Sequence, residues 1–241
     1  MTGPTETLHS LHPVPTLTLM DTLCAGTPSR QVQWAIRAGG VLFMTALTAA
    51  AAQVSFSIPL TQVPFTLTPM VVLMSGLALG PRLGLLSQVL YLAAGMLGAP
   101  VFAVSATLPM GAARLIGPTG GYLMAYPFAA LLAGYLAERG FDRRASVVDL
   151  LSAYLAKLGF ARHATSVVAT LVGLVAMFAG LIVIFAGGVL WLGLFVSSGS
   201  SGPIGISAAL ATGFYPFVVA DTLKVLLAAT VMPALWRLVG R

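Results

Sequence analysis

The sequence predicts an all-α membrane protein of six transmembrane helices with N and C termini both in the cytoplasm. Three observations predict it. Of 241 residues, 58% are hydrophobic and only 7% are charged, with a mean hydropathy of +0.97, against roughly 25% charged in soluble domains. Apolar runs of about 18 residues or more, enough to cross about 30 Å of hydrocarbon as a helix, recur along the chain. Lys and Arg collect almost entirely on one side of a six-span arrangement, as the enrichment of cytoplasmic loops in positive charge requires.

Residues 1–33 read as a polar tail with several Pro and Thr, expected to be flexible and cytoplasmic. No charged stretch followed by a long apolar core precedes residue 30, so a cleaved signal peptide is not expected. Cys24 is the single cysteine, which excludes an intrachain disulfide and a thiolate cluster. Leu23 before it does not fit a lipoprotein cleavage site, which leaves Cys24 as an idle free thiol.

A membrane domain is expected over 34–241, with spans at about 34–56, 66–79, 83–103, 120–137, 164–196 and 215–238. The second is short and carries Pro69, which predicts a kink or partial embedding. Arg30 and Arg37 precede span one, Arg82 lies between spans two and three, and Arg139, Arg143, Arg144, Lys157 and Arg162 lie between spans four and five. Arg237 and Arg241 come at the end of the chain. All fall on one side if there are six spans, whereas the opposite side receives only Arg114. Within 138–162, apolar residues at helical spacing fit either an amphipathic helix on the inner membrane surface or a solvated linker helix.

Several function classes are excluded. The net charge of +6 is dispersed between apolar spans, with no basic stripe interleaved with aromatics for nucleic acid. There is no His-Glu-x-x-His, no Gly-x-Ser-x-Gly and no Walker motif, so no zinc hydrolase, serine hydrolase or ATPase chemistry is expected, and no cofactor. His9, His12 and His163 all lie outside the spans, and no internal repeat of the inverted-transporter kind stands out.

The chemistry concentrates in span six. Asp221 and Lys224 interrupt an otherwise apolar run, and each charge near the middle of a membrane helix costs about 2.5 to 3.5 kcal/mol. At i, i+3 they share a helix face, where they meet each other or a ligand between them. A pair that only stitches span six to a neighbour is the structural alternative. A proton relay is disfavoured, because the other spans supply no titratable partners in series.

By the same topology, the loop over 57–66, the segment 99–102, the turn Gly117-Pro118-Thr119-Gly120-Gly121-Tyr122 and the start of span six gather at the outer face. This arrangement predicts a small-molecule capture site there. The glycine-rich turn opens a helix, and serves either loop tightness or ligand contact. In span one, Ala46 and Ala50 flatten a helix face four residues apart, for internal packing or for docking another membrane subunit.

Five segments in order then carry a resemblance. They are Ile58-Pro59-Leu60-Thr61-Gln62-Val63-Pro64-Phe65-Thr66-Leu67, Leu79-Gly80-Pro81-Arg82-Leu83-Gly84, Tyr91-Leu92-x-x-Gly95-x-x-Gly98-x-Pro100-Val101-Phe102, the Gly117 to Tyr122 turn, and Pro216-Phe217-x-x-x-Asp221-x-x-Lys224. Over about 35–240 the chain resembles the BioY family, the biotin-specific substrate-binding (S) components of energy-coupling factor (ECF) vitamin transporters. The resemblance implies six helices, a biotin site near the outer surface, and uptake across the bacterial inner membrane. It implies a transmembrane coupling subunit, docked on Ala46 and Ala50, and two ATPase subunits as partners. It links Asp221 and Lys224 to biotin's ureido ring: a carboxylate accepts from the ring N–H groups and an ammonium donates to its carbonyl. Tyr122 closes the Gly117 to Tyr122 segment of the family pattern and is expected at the site. Arg114 is the expected partner of the valerate carboxylate, with an interfacial anchor as its alternative. Two departures from the family pattern, the loop over 105–114 and Leu123 after the tyrosine, keep the loop contacts from being carried over. Rival readings are the same architecture for thiamine or riboflavin and, from another class, an intramembrane enzyme.

Overall fold

The structure, a computed structural model, describes residues 18–25, 27–57, 59, 61–105, 108–142, 164–197 and 202–239. Its helices are α1 (Leu19–Ala25), α2 (Arg30–Gln53), α3 (Thr68–Leu79), α4 (Pro81–Met96), α5 (Ala113–Ile116), α6 (Gly120–Asp142), α7 (Ala164–Phe195), α8 (Ile206–Gly213) and α9 (Tyr215–Val239). Between α2 and α3, strands β1 (Ser55–Phe56) and β2 (Phe65–Thr66) form a small antiparallel pair, Ser55 opposite Thr66 and Phe56 opposite Phe65.

Each of the six expected spans is helical, but not all are long enough to cross a bilayer unaided. Among the described residues, α2, α6 and α7 have the length and apolar character to do so, and α8 with α9, bent by 47° at a short break, makes a fourth candidate. The 12 residues of α3 extend only about 18 Å at 1.5 Å per residue. Short length is tolerated because α3 is sheltered by protein: Val72, Leu73 and Ser75 are fully buried, as are Gly76 and Ala78 beside them. Pro69 does not kink this helix; it occupies the first turn, where its missing N–H costs nothing. Gly80, at φ 83°, reverses the chain into Pro81 at the start of α4, a conformation that favours glycine.

The centre of the bundle is α6, which packs against α3, α4 and α7. Its buried face is built from Ala129, Ala130 and Ala133, none of which exposes any surface. Opposite them, Gly76 of α3 abuts the Ala130 carbonyl, and Gly180 and Gly187 of α7 receive Ala129 and Ala125. Small residues at these crossings let backbones approach closely enough for dispersion contacts along their length, the main source of helix association in lipid. Gly76→Ala is therefore expected to destabilise the protein by about 1 to 3 kcal/mol, read as a lower melting temperature in detergent. Gly39, with nothing within 4 Å of an added Cβ, is the control. Gly39→Ala is expected to leave stability unchanged or raise it by up to about 1 kcal/mol.

Between α2, α3 and α4 lies a buried polar knot. The Gln88 side-chain amide donates to Thr48 at 3.2 Å, Ser75 at 3.1 Å and Ser87 at 3.1 Å, and all four residues are fully buried. Thr45 adds a 2.9 Å bond to the Ser87 carbonyl. In an apolar surrounding such bonds fix helix register, since breaking one strands a buried polar group.

The tail expected over 1–33 differs from the structure in two respects. Arg30 to Gln33 already belong to α2, and Leu19–Ala25 forms a helix packed on α2, α3 and α9. Met20 and Leu79 both lie against Gly40, Cys24 is buried, and Thr18 with Asp21 closes the first turn through bonds of 2.8 and 3.1 Å. Two apolar residues spaced by one turn suffice to dock so short a helix, and the surrounding polar sequence hides them. Asp21 also approaches Arg37 at 3.9 Å, both about 40% exposed, a pair worth little to stability. The expected amphipathic helix within 138–162 lies, beyond residue 142, outside the described residues.

Candidate functional site

At the end of α9 that follows the α8–α9 bend, one helical stripe points inward. Phe217, Asp221, Lys224, Val225 and Ala228 are buried, whereas Tyr215, Val219, Leu223, Leu226 and Leu227 are exposed on the other face. Pro216 in the first turn of α9 suits a helix start, and the bend at Phe214 aims that turn into the bundle.

The stripe faces a cavity of about 610 Å³, counting the space at its open mouth. Val63 and Pro64 of the β1–β2 loop, Phe102 and Ala103 of the α4–α5 connection, Tyr91 and Tyr126 close it from other sides. The Phe102 ring lies over Gly95 and meets Tyr91 edge-on at 5.5 Å, with Tyr126 a further 6.5 Å from Tyr91. The wall is apolar and aromatic apart from a few charged and hydroxyl groups.

Asp221 and Lys224 are joined directly, Lys224 Nζ donating to Asp221 Oδ1 at 2.6 Å. Lys224 Nζ also donates to the Thr66 carbonyl at 2.7 Å and stands 3.4 Å from the centre of the Phe65 ring. Phe65 in turn stacks on Phe217 at 6.2 Å and 15°. The ammonium is thus held by a carboxylate, a carbonyl and a π face, which together offset its removal from water. Asp221 Oδ2 takes no hydrogen bond among the described residues, and it belongs to a residue that lines the cavity. The pair can therefore accept from an N–H donor while Lys224, with three protons and two hydrogen bonds, donates to a carbonyl.

Arg114 is buried on the cavity wall, its Nη2 donating to the Ala103 carbonyl at 2.7 Å and its Nη1 to the Pro109 carbonyl at 3.4 Å. No Asp or Glu pairs with it among the described residues. Burial pushes its pKa below the ordinary arginine value.

Tyr122 lines the same cavity, but with its ring: the hydroxyl donates to the Gly213 carbonyl at 2.7 Å and ties α6 to the end of α8. The glycines of the turn before it are chiefly tight packing, Gly120 and Gly121 lying against Trp191, whose indole N–H donates to the Gly117 carbonyl at 3.0 Å. Ala46 and Ala50 are not part of the site; they are exposed on the outward face of α2, beside Leu42 and Phe43. Among the described residues no group of three or more His, Cys, Asp or Glu could hold a metal.

Four of the residues singled out from sequence, Asp221, Lys224, Arg114 and Tyr122, thus share one cavity. Sequence reasoning passed over Phe65, Thr66, Tyr91, Thr119 and Tyr126. Phe65 and Thr66 lie in one of the five quoted segments, and their signal was position: a loop expected at the same face as the start of span six. Tyr91 opens the third quoted segment and Thr119 lies in the fourth, but neither was given a role there, whereas Tyr126, an aromatic residue within an apolar helix, carries no sequence signal of its own.

The family model described as "BioY family" matches residues 29–241. A curated protein named "Probable biotin transporter BioY", from Pyrococcus horikoshii, is 35% identical over 200 residues, covering 83% of this chain and 94% of that protein. The "Biotin transporter BioY" of Thermotoga maritima is 45% identical over 83 residues, 34% of this chain and 47% of its own length. Among solved structures, the S-component for biotin from an ECF-type ABC transporter superposes with a TM-score of 0.64 at 24% identity, covering 89% of this chain and 96% of that one. At that identity the superposition speaks for the fold, and the sequence matches carry the kinship: the chain belongs to the BioY family.

Proposed function

We propose that this protein binds biotin from the outer side of the bacterial inner membrane and serves as the substrate-binding component of an ECF-type transporter. The observation that carries the proposal is the constellation on the cavity wall: a carboxylate and ammonium 2.6 Å apart, and a guanidinium that no Asp or Glu pairs with among the described residues. Biotin offers what these groups lack, two ureido N–H donors and a polarised carbonyl at one end and a carboxylate at the other, joined by an apolar bicycle and chain. Asp221 Oδ2 accepts from the ureido N–H, Lys224 donates to the ureido oxygen, and Arg114 pairs with the valerate carboxylate. The rings of Tyr122, Phe217 and Tyr91 enclose the apolar middle.

In this reading α2, α3, α4, α6, α7 and α9 cross the bilayer, with α3 shielded by its neighbours. The bundle end that gathers Arg37, Arg82 and Arg139 faces the cytoplasm, and both termini lie there. Ala46 and Ala50 receive the transmembrane coupling subunit, and ATPase subunits supply the energy. The chain itself binds and performs no catalysis.

Titration calorimetry of the purified protein with biotin, thiamine and riboflavin tests the ligand. Saturable binding of biotin alone is expected; binding of either other vitamin with no biotin heat overturns the assignment. Arg114→Gln is expected to weaken biotin about tenfold or more, the scale of a lost charge-assisted hydrogen bond. Affinity for the neutral methyl ester should barely change, and equal losses for both ligands would remove Arg114 from the carboxylate.

A further inference from the structure

Thr119 immediately precedes α6, and its carbonyl accepts the first hydrogen bond of that helix, from the Leu123 N–H at 3.1 Å. It is therefore the N-cap residue, where a threonine hydroxyl usually turns back to accept from the backbone N–H two or three residues on. This hydroxyl does not. Thr119 Oγ1 has no hydrogen-bond partner among the described residues, although the residue is only 6% exposed. A buried polar atom without a partner carries an uncompensated desolvation cost, and Thr119 lines the same cavity as Arg114. The other such atom, Gln88 Oε1, belongs to the knot between α2, α3 and α4 and not to the cavity wall.

Charge narrows what the hydroxyl meets. Within the cavity Asp221 and Lys224 neutralise one another, which leaves Arg114 as the uncompensated charge of the lining. Arg114 stands on α5, five residues before Thr119 and joined to it by the short turn at Gly117. Two of its five N–H donors are shown engaged with carbonyls. A carboxylate presents about four lone-pair sites on two oxygens, more than one guanidinium edge saturates. We propose that Thr119 is a specificity-determining residue whose hydroxyl donates to the ligand carboxylate beside Arg114, so that the two form an anion-recognising end of the cavity selective for ligands with a free acid. The proposal rests on the reading of the cavity as a biotin site.

Thr119→Val keeps the shape and removes the hydroxyl, and Thr119→Ser keeps the hydroxyl. With full-length protein in detergent, calorimetry against biotin and biotin methyl ester is expected to show Thr119→Val losing at least about fivefold in biotin affinity. Affinity for the ester should stay within about twofold of the parent, and Thr119→Ser should bind both ligands as the parent does. An unchanged biotin affinity in Thr119→Val, or an equal loss for acid and ester, overturns the role. If Thr119→Val is not recovered folded, Thr119→Ala is read by the same acid-to-ester ratio. Parent protein that binds biotin while the ratio stays constant sinks this inference alone, whereas parent protein that ignores biotin sinks the site reading with it.

Discussion

Asp221→Asn is expected to lower biotin affinity at least tenfold while the protein still folds. Among the described residues the carboxylate is the cavity's only acid, and the exchange to an amide replaces one acceptor oxygen by a donor with almost no change of shape. Whichever way the amide turns, it faces a donor: the Lys224 ammonium now 2.6 Å from Oδ1, or the ligand N–H expected at Oδ2. Hydrogen bonds to charged groups contribute about 1.5 to 3 kcal/mol, which corresponds to roughly 10- to 150-fold in affinity. The free protein also suffers, because Lys224 loses its counter-charge; breaking a buried pair by removing one partner costs about 3 to 5 kcal/mol. The Thr66 carbonyl at 2.7 Å and the Phe65 ring reduce this cost by keeping the ammonium solvated from the loop side. Calorimetry and thermal unfolding on the same preparation separate the two effects. Binding within twofold of the parent, in protein that unfolds at a lower temperature, would leave Asp221 as a structural stitch and nothing more.

How much of this was legible in the sequence follows from what each interaction is made of. Asp221 and Lys224 were visible because charge is costly in an apolar run, and their contact follows from helix spacing alone. Their third partner was not visible. The Thr66 carbonyl is 158 positions from Lys224, and a backbone oxygen leaves no mark in residue identity. The polar knot around Gln88 escaped for a related reason: Thr48, Ser75, Ser87 and Gln88 are each unremarkable in a membrane helix, and only the packing of α2, α3 and α4 joins them. Tyr122 was placed at the site by its motif, yet which end of a tyrosine serves the ligand depends on where its hydroxyl finds a carbonyl, here Gly213. Pro69 left a kink and partial embedding both open, and the structure shows no kink, because a proline's effect depends on its distance from the helix start. The apolar runs predicted helices well, but runs cannot say whether lipid or protein covers them, and α3 is covered by protein.

Ala50→Trp is expected to abolish biotin uptake by cells carrying the partner subunits, to no more than about a hundredth of the parent rate, while the purified variant binds biotin normally. On α2, Met44, Thr48, Ala51 and Ala52 face the bundle, and Thr48 belongs to the polar knot. Ala46 and Ala50 stand exposed on the other side, four residues and about one turn apart. A flat stripe of this kind lets a second helix approach to contact distance, whereas a tryptophan on it holds that helix off and removes the dispersion contacts that drive association in lipid. A loss of about 3 kcal/mol in docking lowers occupancy roughly a hundredfold at concentrations below saturation. Because residue 50 neither lines the cavity nor touches the knot, the substitution leaves the binding site its geometry. Uptake at the parental rate would remove Ala46 and Ala50 as a docking surface. Loss of binding together with uptake would show instead that the outer face of α2 supports the cavity through Ala52, which lines it.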